Sequence, residues 1–255
     1  MDKILKLTGV TAGYGHEIIL RDVNLSIYDR DFIGVIGPNG GGKTTLIRIL
    51  LGLLRPMEGK VERFVDGSGN FAGYLPQQSH VDRKFPITVL DIVLSGLISE
   101  KGNLGRYSRN DKKRAMELLE QMGIIDLAGR TIMELSGGQL QRVFISRALI
   151  SSPRLLILDE PNTFVDNRFE SDLYALLSEL NRKMAILIVS HDVGTISYYV
   201  KTIACVNTWL HYHPSNIITE EQLAAYNCPL QIITHGDVPH TVLRKHDHSQ
   251  DHTHE

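Results

Sequence analysis

Apolar and polar residues alternate along Ile4-Leu5-Lys6-Leu7-Thr8-Gly9-Val10, the two-residue period of a half-buried strand, which ends at Ala12-Gly13-Tyr14-Gly15. Ile18 to Ile27 predicts two more short strands around Arg21-Asp22, so the chain opens on β structure. Phe32-Ile33-Gly34-Val35-Ile36 reads as a short buried strand, and Leu46-Ile47-Arg48-Ile49-Leu50-Leu51 repeats its apolar positions at helical spacing. Arg55-Pro56-Met57-Glu58-Gly59 predicts a turn. Strands follow at Lys60–Phe64 and Phe71–Leu75, the second leading into Pro76-Gln77-Gln78.

From there to about Leu149 the pattern turns helical, with amphipathic segments at Thr88–Leu97 and Ser108–Met122. Ser108 and Asp111 stand at capping-box spacing. Beyond this stretch, Leu155-Leu156-Ile157-Leu158 and Ala185-Ile186-Leu187-Ile188-Val189 are continuous apolar runs, as central parallel strands covered on both faces require. Phe169–Leu180 between them is helical. Strands alternating with helices predict a doubly wound, mostly parallel sheet of the α/β class. Residues 1–79 and 151–210 would form its core and residues 80–150 a helical insertion. Residues 211–255 extend it; the pattern is less regular after Tyr226, and Lys245–Glu255 reads as a polar, mobile tail.

Composition changes this picture little. A chain of 255 residues can bury one substantial core, or one core with a subdomain leaning on it. Its net charge of −2 offers no basic excess for nucleic acid. Cys205 and Cys228 have neither metal-ligand spacing nor a disulfide framework, and read as reduced core thiols of a cytosolic protein. The N-terminus carries no signal-peptide pattern, and the longest apolar runs have the length of strands, so no span of the membrane is expected.

The candidate chemistry centres on Gly37-Pro38-Asn39-Gly40-Gly41-Gly42-Lys43-Thr44-Thr45, which fits the phosphate-loop pattern between a strand and a helix. Glycines there let backbone N–H groups approach an anion, and the helix N-terminus adds its positive end. Lys43 would bring a full charge to the β- and γ-phosphates of a nucleotide, and the Thr44 hydroxyl would ligate Mg²⁺. Asp159-Glu160-Pro161 closes a buried strand at the sheet edge where ligands bind. Asp159 would hold Mg²⁺ through water, and Glu160 would polarise the attacking water. Ser190-His191-Asp192 ends the next strand at the same edge, placing an imidazole within reach of the γ-phosphate. Tyr14, flanked by glycines, reads either as a ring for stacking on a base or as a plain turn aromatic. Leu135-Ser136-Gly137-Gly138-Gln139 is a second Gly-rich helix start, with Ser136 as cap and a helix from Gln139 to Leu149. The first loop already holds one set of phosphates, so this second one needs another γ-phosphate to face.

Together, Gly37–Thr45, Gln77, Leu135–Gln139, Leu155–Pro161 and His191 resemble the ATP-binding cassette (ABC) ATPases over roughly residues 3–210. The resemblance implies a P-loop NTPase fold with an N-terminal antiparallel β subdomain and an inserted helical subdomain carrying the signature run. It also implies a head-to-tail homodimer with two ATP molecules between the subunits. Ser136, Gly137, Gly138 and Gln139 of one copy would contact nucleotide held by the other. Tyr14 would be the base-stacking aromatic, and Gln77, ahead of Gln78, a lid residue sensing Mg²⁺ and the membrane subunits. Asp166 matches an interface aspartate, although Phe164-Val165 before it departs from the family's small residue and Leu.

Tyr74-Leu75-Pro76-Gln77, Asp82–Val89 and Val93-Leu94-Ser95-Gly96 are similar to the lid region of importer ATPases for zinc, manganese or iron. That similarity implies work at the cytoplasmic face of the cell membrane beneath two transmembrane permease subunits, fed indirectly by an external metal-binding protein, with no nucleic acid involved. His211, His213, His235, His240, His246, His248, His252 and His254 crowd the C-terminal extension. A solvated tail, a weak metal buffer and a regulatory sensor all fit them. Three rivals stand beside this reading: an importer of an iron chelate, a soluble ABC ATPase acting on ribosomes or DNA, and a nucleotide-binding regulator without turnover, against which the intact Glu160 and His191 argue. The second usually carries two cassettes or a long coiled insertion, and this chain has neither.

Overall fold

In the computed structural model the described residues are 2–64, 71–77, 86–101, 106–161, 167–191, 193–217, 230–235 and 238–243. The central sheet has six strands in the order β5-β6-β7-β3-β8-β9: β5 is Ala72–Leu75, β6 Leu155–Asp159, β7 Ala185–Val189, β3 Phe32–Ile36, β8 Thr202–Asn207 and β9 Trp209–His213. All neighbours pair in parallel except β9, which returns antiparallel along β8. Beside it lies an antiparallel sheet, β2-β1-β4, built from Lys3–Tyr14 (β1), Glu17–Tyr28 (β2) and Glu58–Arg63 (β4). The mostly parallel α/β sheet and the β opening are as the periodicity predicts, and the antiparallel pairing of that opening is as the resemblance implies.

Alternation along the central strands divides the interior into two layers, because successive side chains leave a strand on opposite faces. Ile33, Val35, Leu155, Ile157, Leu187 and Val189 pack with helix α1 (Lys43–Leu51) and the inner faces of β1 and β2. Phe32, Ile36, Leu156, Leu158, Ile186 and Ile188 face the other way. They meet α2 (Val89–Ser95), α4 (Arg109–Gln121), α5 (Gly137–Leu149), α6 (Asn167–Asn181) and α7 (Val193–Ser197). A short α3 (Ile98–Lys101) follows α2. The regular elements described between β5 and β6 are thus helices, apart from an isolated antiparallel bridge between Thr88 and Thr131, and Ser108 and Asp111 form the capping box expected at the start of α4. Among the described residues no helix is long and apolar enough to cross a membrane.

Some boundaries differ from the sequence reading. The region read as two runs around Arg21-Asp22 is one strand, β2, carrying a bulge. Val10 pairs with Val23 and Ala12 with Leu20, leaving an extra residue on β2 between those pairs. Asp22 takes φ 46 and the Arg21 N–H turns away to the carbonyl of Thr208 at 2.8 Å, so the interruption is absorbed without ending the strand. β4 begins at Glu58, inside the predicted turn, because Gly59 (φ 83) bends closely over the backbone of Gly9. Helix α5 begins at Gly137, two residues ahead of Gln139, since Ser136 caps it earlier than the apolar pattern shows. The extension is more regular than expected: Leu230–His235 (β10) and Val238–Leu243 (β11) pair antiparallel. Cys205 is buried in the core, as expected; Cys228 and the histidines from 246 onward lie outside the described residues.

Candidate active site

The phosphate loop joins β3 to α1 and is shaped by glycines at its tightest points. Gly37 lies at φ 152, where a Cβ would stand 2.1 Å from the Val206 carbonyl oxygen; Gly42 lies at φ 104, where one would stand 2.5 Å from the Leu20 side chain. No larger residue fits either place. Gly42 is also the N-cap of α1 and provides no side-chain acceptor, so the first-turn N–H groups remain oriented for an incoming anion. Within the loop, the Gly41 N–H donates to Pro38 O at 3.1 Å. Lys43 is buried and folds over the loop, its Nζ donating to Gly37 O at 2.8 Å and Pro38 O at 2.9 Å.

At the end of β6 the two carboxylates have different surroundings. Asp159 is buried, and burial is the main cause of its carboxyl being pushed above the usual carboxylate range, with the neighbouring Glu160 adding to the shift. The Tyr74 hydroxyl, donated to Asp159 Oδ2 at 3.3 Å, and the ammonium of Lys43 act in the opposite sense. Tyr74 itself is pushed up to about 12, first by burial and then by the charge of Asp159. Glu160 sits at φ 48, the left-handed region that costs a non-glycine residue of order 1 kcal/mol or more, and its N–H donates to Val189 O at 3.0 Å. Gln77 Nε2 donates to Glu160 Oε2 at 2.7 Å, and the exposed imidazole of His191 brings Nδ1 to 3.7 Å from Oε1.

These groups line one cleft of about 680 Å³ at the carboxyl edge of the sheet. Tyr14, Gly37, Asn39, Gly40, Gly42, Lys43, Thr44, Thr45, Gln77, Asp159, Glu160 and His191 all border it, while Pro38 and Gly41 lie in the same loop without facing it. Two of its hard oxygen donors, the exposed Thr44 hydroxyl and the Asp159 carboxylate, suit Mg²⁺, which keeps its remaining positions for phosphate and water. The Gln77 amide nitrogen is directed at Glu160, so a metal contact would use its carbonyl end.

The cleft does not include Ser136, Gly137, Gly138 or Gln139. Those residues start α5 as a capping box: Ser136 Oγ accepts from Gln139 N at 3.3 Å, and Gln139 Oε1 accepts from Ser136 N at 3.0 Å. Gln78, Asp166 and Asp192 lie outside the described residues. The sequence reading gave no role at the site to three residues that have a place there: Tyr74 on Asp159, Arg48 on Tyr14, and Gln141, whose buried Nε2 donates to Pro161 O at 2.7 Å. Gln141 left a trace, a polar residue among the apolar positions of α5. The contacts of Arg48 with Tyr14 and of Tyr74 with Asp159 join residues 34 and 85 positions apart and left none.

A phosphate loop between strand and helix, facing paired carboxylates at the end of β6, a parallel strand separated from β3 by β7, defines a P-loop nucleoside triphosphatase fold. Within that class, a family model described as ABC transporter matches residues 20–163, and the chain belongs to the ABC transporter family. A "Probable metal transport system ATP-binding protein" of Thermotoga maritima is 40% identical over 87% of this chain and 89% of its own length. A zinc uptake system ATP-binding protein of Listeria innocua is 38% identical over 81% and 84%. A manganese transport system ATP-binding protein of Bacillus subtilis is 38% identical over 76% and 80%. Among solved structures, an ABC transporter assigned to the metal-chelate type, in an inward-facing conformation, aligns at TM-score 0.80 with 28% identity over 96% of this chain and 98% of that one. A dimeric bacterial ABC transporter cassette aligns at TM-score 0.68 with 27% identity, covering 85% of this chain and all of the other.

Proposed function

We propose that this chain is the ATP-hydrolysing subunit of an importer for a transition metal ion, zinc, manganese or iron, acting at the cytoplasmic face of the membrane beneath two permease subunits. The observation that carries the reading is a division of the site. The cleft gathers the phosphate loop, Asp159, Glu160, Gln77 and His191 on one surface, while the capped start of α5 lies outside it. A second copy, turned head to tail, supplies Ser136, Gly137, Gly138 and Gln139 to the open side of that cleft, and Asp166 belongs to the same interface. The dimeric cassette among the solved neighbours supports this arrangement, and the zinc and manganese systems among the relatives support the cargo class.

In this reading the loop amides and Lys43 neutralise the β- and γ-phosphates, and Tyr14 stacks on the adenine. Lys43 need only exchange two loop carbonyls for phosphate oxygens. Mg²⁺ bound to Thr44 and Asp159 would supply charge neutralisation between the phosphates. Glu160 accepts the proton of the attacking water, and His191 stands beside it to hydrogen-bond the γ-phosphate. The bond from Gln77 to Glu160 occupies that base until nucleotide and lid movement draw the amide away. ATP-driven closure of the dimer rocks the permease subunits, and hydrolysis reopens them.

The structural neighbour of metal-chelate type favours a second cargo reading, an iron chelate. The test is the ATPase rate of the assembled transporter in liposomes, with zinc, manganese, iron(II) and an iron chelate each delivered by the external binding protein. Stimulation by free metal ions supports the first reading and stimulation by the chelate alone supports the second. An active ATPase that none of them stimulates refutes both.

A further inference from the structure

Arg48 does not line the nucleotide cleft, yet it reaches the Tyr14 ring, which does. From the last turn of α1 its Nη1 donates to the Tyr14 hydroxyl at 2.8 Å, and its guanidinium carbon lies over the Tyr14 ring, 5.6 Å from the centroid. Tyr14 needs such an anchor. It ends β1 with glycines on both sides, so neither chain neighbour has a side chain to buttress the ring, and 42% of it is exposed. Gly13 cannot be enlarged, because a Cβ there would stand 1.8 Å from Glu17 O. An aromatic on such a support swings about χ1 unless something outside the turn holds it.

We propose that Arg48 is the positioning residue of the base platform: it fixes the Tyr14 ring so that one face is presented to the nucleotide base. The inference rests on the reading of Tyr14 as that platform. Helix α1 makes the placement rigid, since Leu46, Ile47, Ile49 and Leu50 are buried in the core. Thr44, at the phosphate end of the helix, and Arg48 are four residues apart, a rise of about 6 Å at roughly 1.5 Å per residue. One rigid helix therefore sets both the phosphate site and the ring against which the base must lie, and it selects for a ligand that spans them. A basic residue in a last helical turn also complements the helix dipole, which a lysine would do equally well. A lysine would not both bond the hydroxyl and lay a planar cation on the ring.

The experiment is calorimetric titration of the full chain with ADP and with pyrophosphate, both with Mg²⁺, for wild type, R48A, R48K, Y14F, Y14A and the R48A/Y14F double variant. R48A weakens ADP by about fivefold, the size of one net hydrogen bond, and leaves pyrophosphate unchanged. R48K follows R48A. Y14F weakens ADP in the same sense, and the double variant is no weaker than R48A. The inference is overturned if R48A weakens both ligands alike or neither, if R48K behaves as wild type, or if the effects of R48A and Y14F add. Y14A separates the two layers of the argument: it weakens ADP and spares pyrophosphate if the ring is the platform. If Y14A leaves ADP unchanged, the platform reading fails, and Arg48 with it; if Y14A weakens ADP while R48A does not, the platform stands and the positioning role is refuted.

Discussion

Gln141→Leu tests whether α5, which begins with the signature run, holds the catalytic turn in place. Gln141 is 3% exposed, and its Nε2 donates to Pro161 O at 2.7 Å, directly after Glu160. Leu keeps the volume and the helical preference and removes the donor. An unpaired buried carbonyl costs about 1–3 kcal/mol. Pro161 is only partly buried, so water reaches its oxygen in part and the cost falls near the lower end, about 1 kcal/mol. In a chain of this length that lowers Tm by about 2–4 °C. Gln141→Ala also empties buried volume worth roughly 0.8 kcal/mol per methylene-sized group, so its Tm falls about twice as far. Thermal unfolding followed by far-ultraviolet circular dichroism, with urea melts in parallel, measures both. Glu160 is held at φ 48 with Pro161 next to it, so loosening the turn lets the carboxylate relax out of line, and kcat falls by several-fold. A Gln141→Leu protein with wild-type Tm refutes the energetic argument; one that is destabilised but keeps its kcat refutes the link to catalysis.

Two further predictions follow from the carboxylates. Glu160→Gln, run on size exclusion with ATP, accumulates a dimer that does not turn over; a monomer with unchanged hydrolysis refutes Glu160 as the base. Asp159→Asn abolishes Mg²⁺-dependent hydrolysis yet raises Tm at pH 7. Burial raises the folded-state pKa of Asp159 above its ordinary 3.8, so the folded state holds that proton more tightly than the unfolded chain does. The favourable contribution is complete below pH 3.8 and is lost as pH rises through the folded value, leaving the buried charge as a cost at neutrality. The Tm difference between variant and wild type therefore narrows as pH falls toward 3.8, and an Asn variant no more stable than wild type at pH 7 contradicts the burial argument.

The sequence alone determined the local parts. Continuous apolar runs at Leu155–Leu158 and Ala185–Val189 read as strands covered on both faces, and they lie side by side in the sheet. The phosphate loop, the carboxylates of Asp159 and Glu160 and the caps at Ser108 and Ser136 are each written in a few consecutive residues, because turn geometry and capping are short-range physics. Tertiary structure alone decided what depends on register and approach. It joined the strands on either side of Asp22 through a bulge set by pairing with β1, and it paired Leu230–His235 with Val238–Leu243. It brought Arg48 to Tyr14, Tyr74 to Asp159, Gln77 to Glu160 and Gln141 to Pro161. No spacing along the chain encodes those four contacts, because each is made by side chains that meet only once the sheet order and the two packed layers are in place.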